Sequence, residues 1–333
     1  MLESTRLRVF YEVARSGSFT AAANALGYTQ PAISHQIAQL EKELGAQLVE
    51  RGSRRLRLTP AGEVLFDHAR SILASLADAE RHLAETIEAG GRQLHIAAFP
   101  TASATILPPA VSRFRAANPA VELRLTEAEP PLAIPYLMDG ACELALIYRY
   151  PLLRAPEESG VDLDAVFADQ MALALPADHA LAPASAVSLV ELAAEPWVAA
   201  HDTACRDAFV HACRTAGFQP RVVSETNDYA AMQGLVAGGV GVGLVPRLAA
   251  GLSNHPGVVL RPLAERLIER VTFIATRSGA YRSPAAQVIT SLLHQEVREA
   301  TPSGLPLEPL EVETPTPTSR RRGRSRRRVA SSA

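Results

Sequence analysis

Lysine is all but missing from this chain: Lys42 is the only one, and every other basic side chain is arginine. A bias that complete follows genome composition as readily as function, so arginine number alone identifies no phosphate-binding surface. Cysteine is nearly as scarce. Cys142, Cys205 and Cys213 form an odd set without CxxC spacing, which excludes a disulfide framework and argues against a structural zinc site. They read as small buried residues; Cys205 and Cys213, about two helical turns apart, leave a redox pair as the alternative. No run approaches the ~18 apolar residues of a membrane span, and the N-terminus lacks the charged-then-apolar pattern of an export signal. A cytoplasmic location with no membrane partner is therefore expected. No HExxH, GxSxG, Walker loop or paired-carboxylate arrangement occurs, so catalysis has no motif to rest on, and neither metal nor cofactor is expected.

What is present suffices for several cores: 333 residues, 47% of them hydrophobic, exceed one ordinary domain. The net charge of −2 conceals an uneven distribution. The first 62 residues carry about +3, the last 33 about +4, and the middle is acidic, so any nucleic-acid contact is expected at the termini.

Helical periodicity begins at once. Leu7, Phe10, Tyr11 and Ala14 share one face of a run closed by Ser16-Gly17, and Ser18 opens a short alanine-rich helix closed by Gly27. Thr29 is a good N-cap, Pro31 suits a first turn, and Ile33, Ile37, Leu40 and Leu44 form an apolar stripe ending at Gly45. Pro31, His35, Ala38 and Lys42 face the other way. Two helices joined by a short glycine-containing turn, the second with a small and polar outer face, fit a helix that enters the major groove of duplex DNA. Gln30, Ser34, His35 and Gln39 then become candidates for base contacts, since amides pair bidentately with adenine while Ser and His donate to several acceptors. A solvated helix face is the alternative. Leu48–Glu50 and Leu56–Leu58 flank Arg51-Gly52-Ser53-Arg54-Arg55 and read as a β-hairpin wing whose Arg51, Arg54 and Arg55 would meet phosphates.

The stretch LRVFYEVARSGSFTAAANALGYTQPAISHQIAQLEKELGAQLVERGSRRLRLTPAGE resembles the N-terminal region of LysR-type transcriptional regulators. The likeness rests on four motifs together: F-x-x-V-x-x-x-G-S-F-T-x-A-A, Q-P-A-I-S, L-E-x-x-L-G and L-T-x-A-G. The resemblance implies that Gln30, Pro31, Ser34 and His35 hold DNA-contacting positions and that Arg51, Arg54 and Arg55 fall in the wing; His35 often has a more basic counterpart in the family.

Thr59 and Pro60 then open a further helix, on which Leu65, Ala69, Ile72, Leu76, Ala79 and Leu83 alternate at spacings of about four and three. This reads as a dimerisation seam, with a core-facing amphipathic helix as the alternative, and Gly90-Gly91 marks a hinge. A homodimer or homotetramer would match paired operator half-sites.

Beyond the hinge, strand-like segments alternate with helices, as in a mostly parallel α/β sheet. Leu94–Phe99, Val121–Ala128, Glu143–Tyr148, Met171–Pro176, Trp197–Ala200, Val242–Pro246 and Arg270–Arg277 are the expected strands. Helices are expected over Ser103–Ala117, Asp202–Ala216 and Ser283–Ala300. The pattern, anchored by AFPTASATILPPAVSRFRAANPAVEL and VAGGVGVGLVP, is similar to the LysR effector domain, which implies two lobes of periplasmic-binding-protein type with ligand between them. Expected boundaries are 1–58 for the winged helix-turn-helix and 59–90 for the linker helix. An effector domain follows over 91–300, with lobe I about 91–161 and 268–300 and lobe II about 162–267.

Pro100-Thr101-Ala102-Ser103 sits between strand and helix, where hydroxyls and free backbone N–H groups converge on the positive end of a helix and suit a carboxylate. Thr101, Ala102 and Ser103 are the first effector-binding candidates, with ordinary N-capping as the alternative. Asp202 and Thr203 play a similar strand-to-helix role in the second lobe, and the resemblance puts Thr203 near the family's cleft; Tyr148, Arg149 and Asn227 are secondary candidates. GGVGVG precedes a strand instead of following one, which argues against a nucleotide loop. The expected function is a DNA-binding regulator controlled by an anionic or carboxylate small molecule. Promoter DNA is its main partner and RNA polymerase a further one. A periplasmic-type binder and a DNA-acting enzyme are the competing classes, opposed by the helix-turn-helix and by the missing catalytic motifs.

Residues 301–333 are rich in Pro, Ser, Thr and Glu and end in Arg320-Arg321-Arg322-Gly323-Arg324-Ser325-Arg326-Arg327-Arg328, a composition expected to be disordered. Dense positive charge there should add non-specific phosphate attraction. Removing the residues after Thr318 should lower operator affinity and flatten its dependence on salt in a titration series; an unchanged slope would count against any role of the tail in DNA binding.

Overall fold

The computed structural model of the chain describes residues 2–50, 56–87, 92–154, 160–252, 255–265, 268–299 and 308–309. The wing tip with Arg51, Arg54 and Arg55, the hinge expected at Gly90-Gly91 and nearly all of the basic tail lie outside them.

Three helices open the chain: α1 (Ser4–Ser16), α2 (Phe19–Leu26) and α3 (Gln30–Leu44). Ser18 caps α2 by accepting from Ala21 N, and Thr29 caps α3 by accepting from Ala32 N, satisfying amides that have no partner within a helix. Leu7, Val9, Phe10 and Val13 of α1 meet Ala22, Ala23, Ile33, Ile37 and Leu40 in one buried cluster. The small alanines let α2 sit close. Leu44, expected on the apolar stripe, lies at the helix end and is exposed. The wing holds as a minimal hairpin, with one antiparallel bridge between Val49 and Leu58 and Glu50 N donating to Arg57 O at 2.9 Å. Buried Glu41 secures it, its Oε1 accepting from Leu48 N at 2.8 Å and from Val49 N at 3.3 Å.

Helix α4 (Pro60–Ile87) starts where Thr59 accepts from Gly62 N. A Cβ on Gly62 would run into the Leu48 carbonyl oxygen, so glycine lets the helix begin against the wing. The six residues expected to form one seam divide. Leu65 and Ala69 pack into the three-helix core, since α4 lies across α1 there. Ile72, Leu76, Ala79 and Leu83 remain exposed on a common face.

The remainder is a mixed α/β unit, not the mostly parallel sheet expected. Strands β1 (Arg92–Ala98), β2 (Val121–Glu127) and β3 (Leu144–Arg149) are parallel, with β1 central. Strand β5 (Pro196–Ala199) likewise lies parallel between β6 (Arg221–Glu225) and β7 (Val242–Pro246). Two antiparallel strands join these halves: β4 (Val161–Pro176) and β9 (Glu269–Arg277). From Val161 to Gln170, β4 pairs with β9; from Met171 to Pro176 it pairs with β7 and with β8 (Val258–Pro262). The change of partner thus falls inside β4 near Gln170, later than the expected boundary at 161/162. A continuous strand can serve both halves because its hydrogen bonds are local to each residue.

Helices cover both faces: α5 (Pro100–Ala104), α6 (Leu107–Ala117), α7 (Pro130–Met138), α8 (Ala204–Thr215), α9 (Tyr229–Ala237), α10 (Arg247–Ala250) and α11 (Pro284–Glu299). The single helix expected over Ser103–Ala117 breaks between α5 and α6, because Pro108 and Pro109 lack the N–H a helix interior requires and fit only a first turn. In GGVGVG a Cβ on Gly241 would collide with the Pro196 carbonyl, so this glycine serves close strand approach. Glu308–Pro309 forms a short strand, β10, antiparallel to β4 at Ala168 and Phe167. It adds one short backbone pairing beside β4, and the other residues of 301–333 lie outside the described ones.

Polar contacts centred on Asp139 and Arg277 tie α1 and α4 to the sheet. Asp139, just past α7, accepts from Tyr11 Oη at 2.6 Å and from Arg70 Nε at 2.8 Å, and Arg277 pairs with Asp78 of α4. The Arg277 and Asp78 side chains are only 8% and 11% exposed, so removing one strands the other. Asp78→Ala should cost about 3 kcal/mol or more, while Asp78→Leu with Arg277→Met should recover most of it; urea midpoints of the three proteins provide the check.

Candidate functional site

Two regions gather the chemistry. On α3, Gln30, Pro31 and His35 are exposed while Ser34 and Gln39 are half-buried. Gln30 Nε2 donates to Ser34 Oγ at 3.1 Å, a pairing of neighbours one turn apart that fixes both side chains before any ligand arrives. Ile33, Ile37 and Leu40 are buried on the opposite side, so the polar face is outward because the apolar one is committed. The wing lies beside it, placing Arg57 next to the undescribed tip.

The second region is the cleft between the two sheet halves, where the ends of β1, β3, β5 and β6 meet β9. Thr101, Glu129, Tyr148, Thr203, Asn227, Tyr229 and Arg270 line it, with Phe99, Ala200 and Cys205 as apolar walls. Its free volume is only ≈ 20 Å³, about enough for one water. A larger ligand therefore requires the lining side chains, or the halves themselves, to move.

Of the residues singled out from sequence, Thr101, Tyr148, Thr203 and Asn227 come together here. Thr101 is buried, and its Oγ1 has no hydrogen-bond partner among the described residues. Tyr148 donates to Glu129 Oε2 at 2.7 Å, and burial with the Glu129 carboxylate raises its pKa well above the ordinary value. Thr203 Oγ1 caps α8 by accepting from Arg206 N at 3.4 Å. Asn227 Oδ1 accepts from His201 N at 2.8 Å, joining the two loops of the second half.

Four do not reach the cleft. Ala102 is turned into the apolar core. Ser103 donates to Ala98 O at 3.4 Å and lines a separate groove along α6 and β2; it lies inside α5, whose cap position is Phe99 with no side-chain cap bond, so it is not an N-cap either. Arg149 follows Tyr148 on β3, so strand alternation sends it to the other face, over the Phe273 ring at 6.0 Å. Asp202 is solvent-exposed at φ 44° beside His201.

Sequence reasoning missed Arg270, which lines the cleft, and Asp169, the buried partner behind it. Paired across β9 and β4, they are 2% and 0% exposed with Nη2 and Oδ2 2.6 Å apart. The guanidinium stacks on Phe99 and Tyr148, 5.1 Å from each ring centre, and Asp169 Oδ1 accepts from Leu248 N at 3.1 Å. Burial pushes the Asp169 carboxyl up and Arg270 pulls it back. Burial alone would lower Arg270, yet Asp169 and the nearby tyrosines hold it above its ordinary value. Arg270 Nε is buried without a partner among the described residues. The available signal was period-two phase: Arg270 alternates with Thr272 and Ile274, and Ile274 is core. Burial raises the Cys213 thiol to about 12, which disfavours its thiolate and with it a redox role for this residue.

Comparison with known proteins agrees with both regions. Residues 4–63 match the family profile described as bacterial regulatory helix-turn-helix protein, lysR family, and residues 88–298 match the LysR substrate binding domain. The HTH-type transcriptional regulator AlsR of Bacillus subtilis is 32% identical over 259 residues, covering 76% of this chain and 83% of that protein. MetR of Salmonella typhimurium is 31% identical over 308 residues, 92% of this chain and 93% of that one. Among solved structures, a cysteine-to-aspartate variant of full-length OxyR from Pseudomonas aeruginosa superposes with a TM-score of 0.65 at 23% identity, covering 90% of this chain and 96% of that chain. That last likeness concerns the fold.

Proposed function

This chain belongs to the LysR family of DNA-binding transcription regulators with an effector-binding domain, and from that premise we propose how its own residues divide the work. Residues 1–58 form the DNA-binding head, 59–90 the linker and 91–300 the sensor. Helix α3 lies in the major groove of promoter DNA in the cytoplasm, with Gln30, Pro31, Ser34, His35 and Gln39 toward the bases and Arg51, Arg54 and Arg55 on phosphates. The observation that carries this reading is the committed burial of Ile33, Ile37 and Leu40, which leaves the Gln30–Ser34 pair and His35 outward.

The exposed row Ile72, Leu76, Ala79 and Leu83 covers its counterpart in a second copy, giving a homodimer, or a homotetramer by a further interface. The effector presents a carboxylate or similar anionic group between the lobes, supported by the unpartnered donors Thr101 Oγ1 and Arg270 Nε, with Thr203 and Asn227 closing from the other side. By preferring one separation of the lobes it shifts the arrangement of the two heads and their contact with RNA polymerase.

Replacing Ser34 and His35 by Ala should reduce operator affinity about 30-fold or more in gel shift, each of the two lost base contacts being worth ~1–3 kcal/mol; an unaltered footprint would refute the assignment. Thr101→Val should leave that affinity intact and remove the response to inducer in a promoter fusion. Leu76→Glu with Leu83→Glu should convert the protein to monomers in sedimentation and weaken operator binding with it.

A further inference from the structure

The cleft holds an acceptor as well as donors, and its charges are already counted out. Arg270 is matched by Asp169 at 2.6 Å. Glu129, from the turn before α7, has the Tyr148 hydroxyl at 2.7 Å and no cationic partner among the described residues. Those three groups sum to one excess negative charge at a narrow cleft with room for little more than a water. A plain carboxylate entering there would pair with Arg270 Nε and Thr101 Oγ1, both unsatisfied, but would bring a second uncompensated negative charge close to Glu129. Poorly solvated like charges repel strongly. A ligand that also carries a cation removes that repulsion.

Taking the cleft as the effector site, on which this step rests, we propose that the effector is a small zwitterion of amino-acid type. Arg270 and Thr101 receive its carboxylate and Glu129 its ammonium. All three groups stand on the β1–β3–β9 side, so this half reads the charged head of the ligand. Thr203 and Asn227 of the other half close over the remainder. The ≈ 20 Å³ of free space in the cleft requires the lining side chains, or the halves themselves, to move for entry. Tyr148 is the positioning residue, since its hydroxyl holds one Glu129 oxygen and leaves the other for the ligand.

The test uses the full chain, with thermal shift and calorimetry against three matched panels: the twenty common L-amino acids, the same skeletons without the amino group, and the same skeletons without the carboxylate. At least one amino acid should raise the melting temperature, and its deaminated and decarboxylated partners should each bind about tenfold or more weaker, as expected for loss of a charged hydrogen bond. Glu129→Gln should bring the amino acid and its deaminated partner to within a factor of about two of each other, a change of ratio that general loosening of the fold does not produce. Equal or tighter binding of the deaminated partner to the native protein would overturn the zwitterion, as would an unchanged ratio in Glu129→Gln or a panel in which no amino acid binds at millimolar concentration. If a plain carboxylate binds and Thr101→Val abolishes it, the cleft survives as the effector site and only the zwitterion fails. A probe whose binding ignores both Thr101→Val and Glu129→Gln would remove the cleft itself.

Discussion

The pairing of Arg270 with Asp169 is the constraint around which the sensor is arranged. It lies where β9 of the first half runs beside β4, the strand that pairs with both halves of the sheet. One partner reaches toward the first half, its guanidinium on Phe99 and Tyr148; the other reaches toward the second, accepting from the first turn of α10. Two charges this deep are tolerated only when geometry satisfies them, and removing either leaves the other stranded. The same placement sets the character of the cleft, because a neutralised arginine offers directional donors with little free positive charge.

Helix α4 connects that sensor to the head. Its first turns are part of the head's own core through Leu65 and Ala69, and its middle is fastened to the sheet through Asp78 and Arg277 and through Arg70 and Asp139. Asp139 also holds Tyr11 of α1. The head is thus not hung on a free tether along this stretch. The β3–β9 half is joined to α1 and α4 by hydrogen-bonded side chains, while the row from Ile72 to Leu83 faces outward.

Local chemistry fixed much of this chain before any folding. Ser18 and Thr29 as caps, Gly17, Gly27 and Gly45 as stops, and Ile33, Ile37 and Leu40 as a stripe each act within one or two turns, so the helix-turn-helix was legible to within a residue or two. The same holds for β7 and for α11, whose signals are contiguous. Thr101, Tyr148, Thr203 and Asn227 could be chosen because strand-to-helix corners announce themselves in sequence. Ala102, Ser103, Arg149 and Asp202 were chosen by the same rule and sit elsewhere, since which neighbour at a corner turns inward depends on the packing around it.

Tertiary structure decided the rest, and for a common reason: the decisive partners are far apart along the chain. Asp169 and Arg270 are 101 residues apart, and Asp78 and Arg277 are 199. No local pattern distinguishes an arginine that will be buried against an aspartate from one that will meet water. Nor could the sequence divide the α4 seam, because only the docking of α1 commits Leu65 and Ala69 to the core. Sequence determined the helices of the head, the outline of the sensor and the family resemblance; folding determined the strand partners, the break between α5 and α6 and which charges were withdrawn from water.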